Sequence, residues 1–170
     1  IEAIHGDTGK VLVDETVTAT GGLSSGTAAD SFIYTDTVAC NNACIKGLRA
    51  GPKELVAAPG ANKFIEFVNA VLILNYGANV LTESADNMVI EYATSGQDIT
   101  AAIEATGFID AAADQMAFVV PAGIATVAAA NVSNKAIQLF NTGDGEYAGN
   151  AGNDTTMAIK VSYRIHADGL

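Results

Sequence analysis

Basic residues are scarce in this chain. Its 170 residues include 8 Lys and Arg against 19 Asp and Glu, which gives a formal net charge of -11 at pH 7. A protein this acidic repels phosphate backbones and anionic bilayers, and no cluster of Lys and Arg offers a local exception. The charge balance therefore argues against nucleic acids and membrane surfaces as partners.

Long uninterrupted apolar runs are also missing. The longest uncharged stretch, Gln115 to Asn134, is interrupted by Pro121 and Gly123, and its apolar part is too short to cross a bilayer. The first six residues contain neither the basic nor the apolar region of a secretory signal. We expect neither a transmembrane segment nor a signal in the sequence as given, although a signal already removed would leave no mark in it.

Cysteine is rare, with only Cys40 and Cys44 present, whereas a disulfide scaffold of this length usually carries more. Three interpretations stay open: two reduced structural thiols, one local disulfide, or two ligands of a metal. A zinc site needs two further ligands, and the only histidines, His5 and His166, lie near opposite ends of the chain. We predict no metal site and no cofactor.

The apolar content is sufficient for a core. Apolar residues make up 49% of the chain and charged residues 16%, which is unlike a disordered acidic segment. A folded chain of this size buries about 70% of the surface that it exposes when unfolded. We predict a single domain over residues 1–170.

Apolar residues recur mainly at every second position, which is the period of β-strands. In Thr156 to His166 the apolar residues share one face and polar residues occupy the other, which predicts a half-buried antiparallel strand. By contrast, Lys63 to Leu74 is β-branched and aromatic on both faces, which predicts a central strand covered on both sides. The apolar residues of the first segment are Met157, Ile159, Val161, Tyr163 and Ile165.

Shorter segments between turn-forming residues predict the remaining strands. Asp110 to Met116 predicts one short helix, and Asn141 to Asp154 predicts a long loop with a brief edge strand at Glu146–Tyr147. The whole pattern predicts an all-β fold, an antiparallel β-sandwich with at most one short helix. The shorter strand segments are Lys10–Val17, Ser31–Ala39, Glu54–Ala57, Asn87–Tyr92, Ile99–Ile109 and Lys135–Phe140.

One catalytic pattern is present, G-x-S-x-G at Gly22 to Gly26, with Ser24 as its nucleophile. The pattern works where a strand turns sharply into a helix and exposes the serine beside a histidine. Here a predicted strand follows, so we interpret the segment as a flexible Gly/Ser loop. We predict no catalytic residue and expect that the chain is not an enzyme.

Two other places could carry chemistry. His166 lies on the polar face of the last predicted strand, and no carboxylate nearby in the sequence is placed to orient it as a general base. The loop 141–154 offers oxygen ligands of the kind that calcium takes, but it departs from the D-x-[DN]-x-[DN]-G pattern. We interpret both as solvated and leave calcium binding by the loop open. The candidate calcium ligands are Asp144, Glu146, Asn150, Asn153 and Asp154.

Three segments are more informative together than any single motif. They are Ala70–Gly77 in the middle of the chain, Gly145–Gly149 in the long loop and Lys160–Arg164 near the end. In an acidic chain rich in glycine and alanine, they look like segments of small virion proteins of tailed bacteriophages. The chain resembles the capsid decoration, or cement, proteins in particular, over residues from about Ile45 to Ile165.

The resemblance implies a jelly-roll-like β-sandwich that binds the major capsid protein on the outer surface of an icosahedral shell and stabilises that shell. It implies a homo-oligomer, with a trimer favoured, which is assembled in the cytoplasm of the host bacterium and carries no catalytic residues. Residues 1–8 would then form an N-terminal arm on the shell.

Other functions stay open at this point. The same sandwich could belong elsewhere in the virion, as a head-fibre, collar or tail component, where exposed loops would bind a receptor or a glycan. It could instead be an extracellular module that binds carbohydrate or calcium. An enzyme would have to use Ser24 or a pair of carboxylates that the spacing does not single out.

Overall fold

Antiparallel strands account for most of the regular structure. A computed structural model describes residues 32–84, 86–123 and 126–169, and strands make up 44% of these residues and helix 6%. The helix α1 spans Asn42–Lys46, and a 3-10 turn spans Ala129–Asn131. The strands are β1 (Tyr34–Cys40), β2 (Lys53–Val56), β3 (Lys63–Asn75), β4 (Leu81–Thr82), β5 (Met88–Tyr92), β6 (Gln97–Asp98), β7 (Gln115–Val119), β8 (Ile137–Asn141), β9 (Ala148–Gly149) and β10 (Thr156–Ala167).

The described strands form two four-stranded sheets and one short pair. Sheet A has the order β1-β10-β3-β7, sheet B has the order β2-β8-β5-β6, and β4 pairs with β9. All of these pairs are antiparallel. Buried side chains from both sheets form one hydrophobic cluster. The predicted all-β, sandwich-like fold is therefore confirmed.

The strand predicted near the end of the chain is confirmed as β10, which lies inside sheet A between β1 and β3. Its predicted apolar face is turned toward the core, while Lys160 on the opposite face is exposed. Ile165 is half-buried and packs against the edge of the core. The buried residues of this face are Met157, Ile159, Val161 and Tyr163.

A β-bulge explains why β3 is apolar on both faces. Its ladder with β10 omits Val68, because Ser162 pairs with Asn69 and Tyr163 pairs with Phe67. One extra residue reverses the alternation of the strand, so odd-numbered residues are buried before the bulge and even-numbered ones after it. The side chains on the other face are mostly half-buried, so the prediction that both faces of this strand are covered is wrong. The buried residues are Ile65, Phe67, Ala70, Leu72 and Leu74.

The strand predicted at Ile99–Ile109 is wrong. Isolated bridges join Thr100 to Pro121 and Ile103 to Met88, and turns follow before residue 110. The segment thus crosses from sheet B toward the end of sheet A without forming a continuous ladder.

The helix predicted at Asp110–Met116 is also wrong, because Gln115 and Met116 belong to β7. Pairing with β3 outweighs the helix propensity of the alanines before β7. The short helix is α1, where the side chain of Asn41 accepts a hydrogen bond from the N–H of Cys44 at 2.9 Å. The edge strand predicted at Glu146–Tyr147 is found two residues later, as β9.

Asn150 holds the long loop between β8 and β10 in one conformation. It has a left-handed backbone, with φ 44°, and its side chain is buried. Its Oδ1 accepts hydrogen bonds from Nδ2 of Asn42 and from the N–H groups of Asp154 and Thr155. Its Nδ2 donates to the carbonyl of Asn79, to Asp154 Oδ1 and to Thr155 Oγ1. The predicted solvated loop is therefore tied to distant parts of the chain.

Two glycines are required where carboxylates approach the backbone closely. A Cβ atom at Gly77 would lie 1.9 Å from Oδ1 of Asp154, and one at Gly143 would lie 1.7 Å from Oδ1 of Asp86. Both carboxylates are consequently packed against backbone that no other residue type could supply.

Cys40 and Cys44 form a disulfide, with their Cα atoms 5.2 Å apart. The bond joins the end of β1 to α1 and fixes the corner between them. Among the three interpretations of the spacing, the structure supports the local disulfide. In the described ranges no three His, Cys, Asp or Glu residues are grouped so that they could hold a metal ion.

We predict that Asn150→Asp strongly destabilises the protein. The new carboxylate keeps one oxygen that accepts hydrogen bonds. Its second oxygen replaces the Nδ2 amide group, so the carbonyl of Asn79 and the carboxylate of Asp154 face a negatively charged oxygen and no longer a hydrogen-bond donor. Each buried polar group left unpaired costs about 1–3 kcal/mol, and we expect a loss of about 3 kcal/mol or more in the free energy of unfolding by urea. Asn153→Asp makes the same chemical change at an exposed position and should cost less than about 0.5 kcal/mol. Equal losses in the two variants would contradict this role of Asn150.

We also predict a modest effect of reducing the disulfide. The bond closes a loop of only four residues in sequence separation, for which the chain-entropy argument gives about 2 kcal/mol. Calorimetry with a reductant should therefore show a fall in Tm of roughly 4–8 °C. The Cys40→Ser, Cys44→Ser double variant is the control, since reductant should leave its Tm unchanged. An unchanged Tm of the reduced wild-type protein would show that the corner is held without the bond.

Candidate interaction surface

The outer face of sheet A, which is turned away from the core, carries an apolar strip. Val71 on β3 pairs with Phe118 on β7, and Ile73 pairs with Met116. Val120 follows directly after β7. Met116 is 62% exposed, Phe118 77% and Val120 65%, while the two β3 residues are half-buried. We call these five residues the apolar strip.

A contiguous apolar patch on a protein surface commonly marks a contact with another molecule, whereas single exposed apolar residues do not. The strip is contiguous because antiparallel register places its members side by side on neighbouring strands. It is therefore the strongest candidate for a functional surface in the described part of the chain.

Sequence reasoning missed this surface because it did not identify β7. The segment from Gln115 is apolar at almost every position, which gives no clear period of two. The sequence signal that indicates this strand is the size of its side chains. The large residues Met116 and Phe118 alternate with the small Ala117, and the two large side chains are the exposed ones. A helix prediction over the preceding alanines hid that alternation.

Sheet A is poor in acids compared with the rest of the chain. Its four strands hold three basic residues and two acidic ones, Asp36 and Glu66, whereas the whole chain carries -11. Lys160 is exposed on the outer face and pairs with Val71 of the apolar strip. Asp36 accepts a hydrogen bond from the hydroxyl of Tyr163 at 2.9 Å. The strands of sheet A therefore carry little of the negative charge of the chain.

Glu66, Arg164 and His166 form an ionic cluster at one end of the same face. Oε2 of Glu66 lies 2.7 Å from Nε2 of His166 and 3.2 Å from a guanidinium nitrogen of Arg164. The ring of Phe64 stacks on His166 with centroids 5.0 Å apart. From the sequence we expected a solvated histidine, because no carboxylate nearby in the sequence is placed to orient it. The carboxylate comes from β3, 100 residues away along the chain.

The hydrogen bond from His166 is the main cause that lowers the pKa of Glu66, and the bond and charge of Arg164 lower it further. Partial burial opposes this shift. The Glu66 side chain is 42% exposed, so the cluster is a surface ion pair between neighbouring strands and stabilises the fold only modestly.

Three of the candidate calcium ligands in the loop 141–154 accept hydrogen bonds from different parts of the protein. Glu146 accepts hydrogen bonds from the N–H groups of Arg49 and Ala50. Asn153 Oδ1 accepts one from Nζ of Lys46 at 2.9 Å, and Asp154 accepts one from the N–H of Ala78. These oxygens hold the loop to its neighbours, and the part of the chain that the structure describes contains no group of three His, Cys, Asp or Glu residues that could hold a metal ion.

The other sequence candidates fall outside the described residues. Ser24 with its glycines, His5, the predicted arm at residues 1–8 and the predicted strand Lys10–Val17 all belong to this group. They stay predictions.

Among the helices in the described ranges, none is long and apolar enough to cross a membrane. Comparison of the chain with models of protein families and with curated proteins finds no match.

The ionic cluster predicts a small loss of stability in acid. Because the pKa of Glu66 is lowered from its ordinary value of 4.5, its contribution is present above that value and is lost as the pH falls through the folded-state pKa. Urea denaturation between about pH 6 and pH 3 should show a larger loss for the wild-type protein than for Glu66→Gln, by less than about 1 kcal/mol. Glu54→Gln, at an exposed position of β2, is the matched control and should follow the wild type. Parallel pH profiles of wild type and Glu66→Gln would contradict the prediction.

Proposed function

We propose that this chain is a non-enzymatic structural protein of a virion, which binds the outer surface of a phage capsid and stabilises, or cements, the shell. Its partner is the major capsid protein. The observation that carries the proposal is the outer face of sheet A, on which the exposed apolar strip lies beside Lys160 in the sheet of an otherwise strongly acidic chain. The proposal also rests on the resemblance to capsid decoration proteins.

The chemistry of this face suits a contact with a folded protein surface. The buried centre of a protein interface is depleted in charge and enriched in aromatic residues and methionine. Phe118 and Met116 provide such side chains, and Lys160 is an exposed charge beside them that can pair with an acid of the partner. The negative charge elsewhere disfavours binding to nucleic acid during assembly in the host cytoplasm.

Stabilisation of the shell follows from mass action. A protein that binds the assembled shell but not its free subunits shifts the equilibrium toward the shell. A decoration protein that binds as an oligomer gains avidity, because the second contact forms at a high effective concentration. No single contact then needs to be tight.

The disulfide agrees with a place on the virion surface. Disulfides persist in oxidising surroundings, which include virion surfaces, and are rare in the cytosol. The Cys40–Cys44 bond would form or persist once the particle has left the host cell.

The test uses bare shells of the phage whose genome encodes the chain. The purified protein should co-sediment with the shells and raise the Tm of the shells in calorimetry. Co-sedimentation should saturate at a fixed ratio of chains to capsid subunits, because the binding sites repeat with the shell.

Lys160→Glu is the sharpest variant for this test. It puts a carboxylate in the middle of the outer face of sheet A, and an unpaired charge buried at a contact is costly. We expect at least about a tenfold loss of affinity for the shell. Lys53→Glu makes the same charge change on β2 of sheet B and is the matched control, which should bind like the wild type.

Two results would overturn the proposal. One is the absence of co-sedimentation by a folded wild-type protein. The other is equal binding by the wild type and Lys160→Glu, which would move the contact away from the outer face of sheet A. Unfolding of the protein on chelation of calcium would instead favour the calcium-dependent module considered from the sequence.

A further inference from the structure

The disulfide joins the end of one strand of sheet A to the short helix. Cys40 is the last residue of β1 and pairs with Met157 of β10, while Cys44 lies within α1. Cys40 is 1% exposed and Cys44 is half-buried. A small thiol in solution would therefore reach the bond from the side of Cys44.

Residues 42–50, which we call the α1 segment, contact the loop 141–154 from about 100 residues away. The innermost contact is made by Asn42, which lies between the two cysteines in sequence and is buried. Its Nδ2 donates hydrogen bonds to Oδ1 of Asn150 at 2.8 Å and to the carbonyl of Thr155 at 3.3 Å. The residue that holds the loop in one conformation is thus bound directly by a residue inside the disulfide ring.

Further contacts of the α1 segment lie nearer the surface. Nζ of Lys46 donates a hydrogen bond to Oδ1 of Asn153 at 2.9 Å. The N–H groups of Arg49 and Ala50 donate to the carboxylate of Glu146 at 3.1 and 2.7 Å. All of these groups sit on the α1 segment, so the loop keeps its place only while that segment keeps its own.

The α1 segment needs support from outside its helix. An isolated helix of this length, five residues, is unstable in water. Its support comes from the Asn41 cap, from the buried side chains of Ile45 and Leu48, and from the disulfide. The bond removes open conformations of the chain between the cysteines, and these conformations return when it is reduced.

We propose that the disulfide is a redox switch that controls the order of the loop 141–154 through the α1 segment. When the bond is formed, Asn42 and Lys46 are held at their partners in the loop. When the bond is reduced, the α1 segment and the loop open together more often. The loop is therefore held in oxidising surroundings and loosened in reducing ones.

The switch operates by thiol–disulfide exchange. A thiolate of the reductant attacks Sγ of Cys44, forms a mixed disulfide and displaces the thiolate of Cys40. A second thiol of the reductant then releases Cys44, so that two reductant thiols become one disulfide and their two protons pass to the cysteines. A disulfide oxidant, such as oxidised glutathione, reverses the exchange and accepts the two electrons.

The expected effect is local and moderate. Closing a ring with a sequence separation of 4 shifts the opening equilibrium by at most about 30-fold in the chain-entropy account. Ile45 and Leu48 stay buried in the core after reduction, so the two sheets keep their packing. We therefore expect the loop to open on the order of 10-fold more often in the reduced protein.

Native-state hydrogen exchange of the full chain tests the switch. Addition of dithiothreitol should speed the exchange of amides in residues 144–155 by on the order of 10-fold. The internal control is residues 129–135, because Asn134 is bonded to Lys63 at the other end of β3 from the disulfide. Exchange there should not change.

Two sets of variants test the route. The Cys40→Ser, Cys44→Ser double variant should show the fast loop exchange with or without dithiothreitol. The Asn42→Ala, Lys46→Ala double variant keeps the bond but loses its contacts with the loop, so dithiothreitol should change its loop exchange by less than about threefold. Asn131→Ala, in the 3-10 turn, is the matched control and should respond like the wild type.

Three results would overturn the proposal. The first is equal loop exchange in the oxidised and the reduced wild-type protein. The second is equal acceleration in residues 129–135, which would indicate a general loss of stability. The third is a full response to dithiothreitol in the Asn42→Ala, Lys46→Ala variant. None of these measurements involves shells, so the switch and the proposed function can fail independently of each other.

Discussion

The antiparallel ladder between β3 and β10 is the contact on which the rest of the structure depends. It runs from the pair of Asn75 and Thr156 to the pair of Lys63 and Ala167, and β1 and β7 attach to its two sides. Closing so long a loop costs chain entropy, which the apolar faces of both strands must offset by burial. Without this ladder neither the outer face of sheet A nor the ionic cluster at its end could form.

How far the sequence predicts this arrangement depends on how local each signal is. The alternation in Thr156 to His166 is local, and it correctly predicts β10 and its buried face. The sequence correctly predicts β3 as a strand but wrongly predicts that both of its faces are covered. The bulge at Val68 moves the buried side chains from odd-numbered to even-numbered positions within one segment, so both faces look apolar in the sequence. The bulge is set by pairing with a distant strand, so no local pattern announces it. The same reason hides the partner of His166, which comes from β3.

The acids of the chain do more than set its net charge. Several carboxylates accept hydrogen bonds from backbone N–H groups of turns that lie outside regular ladders. Glu146 does so for Arg49 and Ala50, Asp114 for Tyr76 and Asp154 for Ala78. Hydrogen bonds to ionised acceptors are stronger than neutral ones, and they satisfy groups that a loop-rich sandwich would otherwise leave to water. The acids that give the chain its negative charge therefore also stabilise its loops.

The large side chains on the outer face of β7 are not required by the fold. Val119 is the buried residue of this strand and anchors it to the core, whereas Phe118 is 77% exposed. Polar residues at Met116 and Phe118 would leave the ladder with β3 intact and would remove an aggregation hazard. Folding alone therefore gives no reason for an exposed phenylalanine and methionine side by side on a sheet edge. A contact that covers them in the working assembly does give one, and the same contact makes their exposure in the single chain understandable.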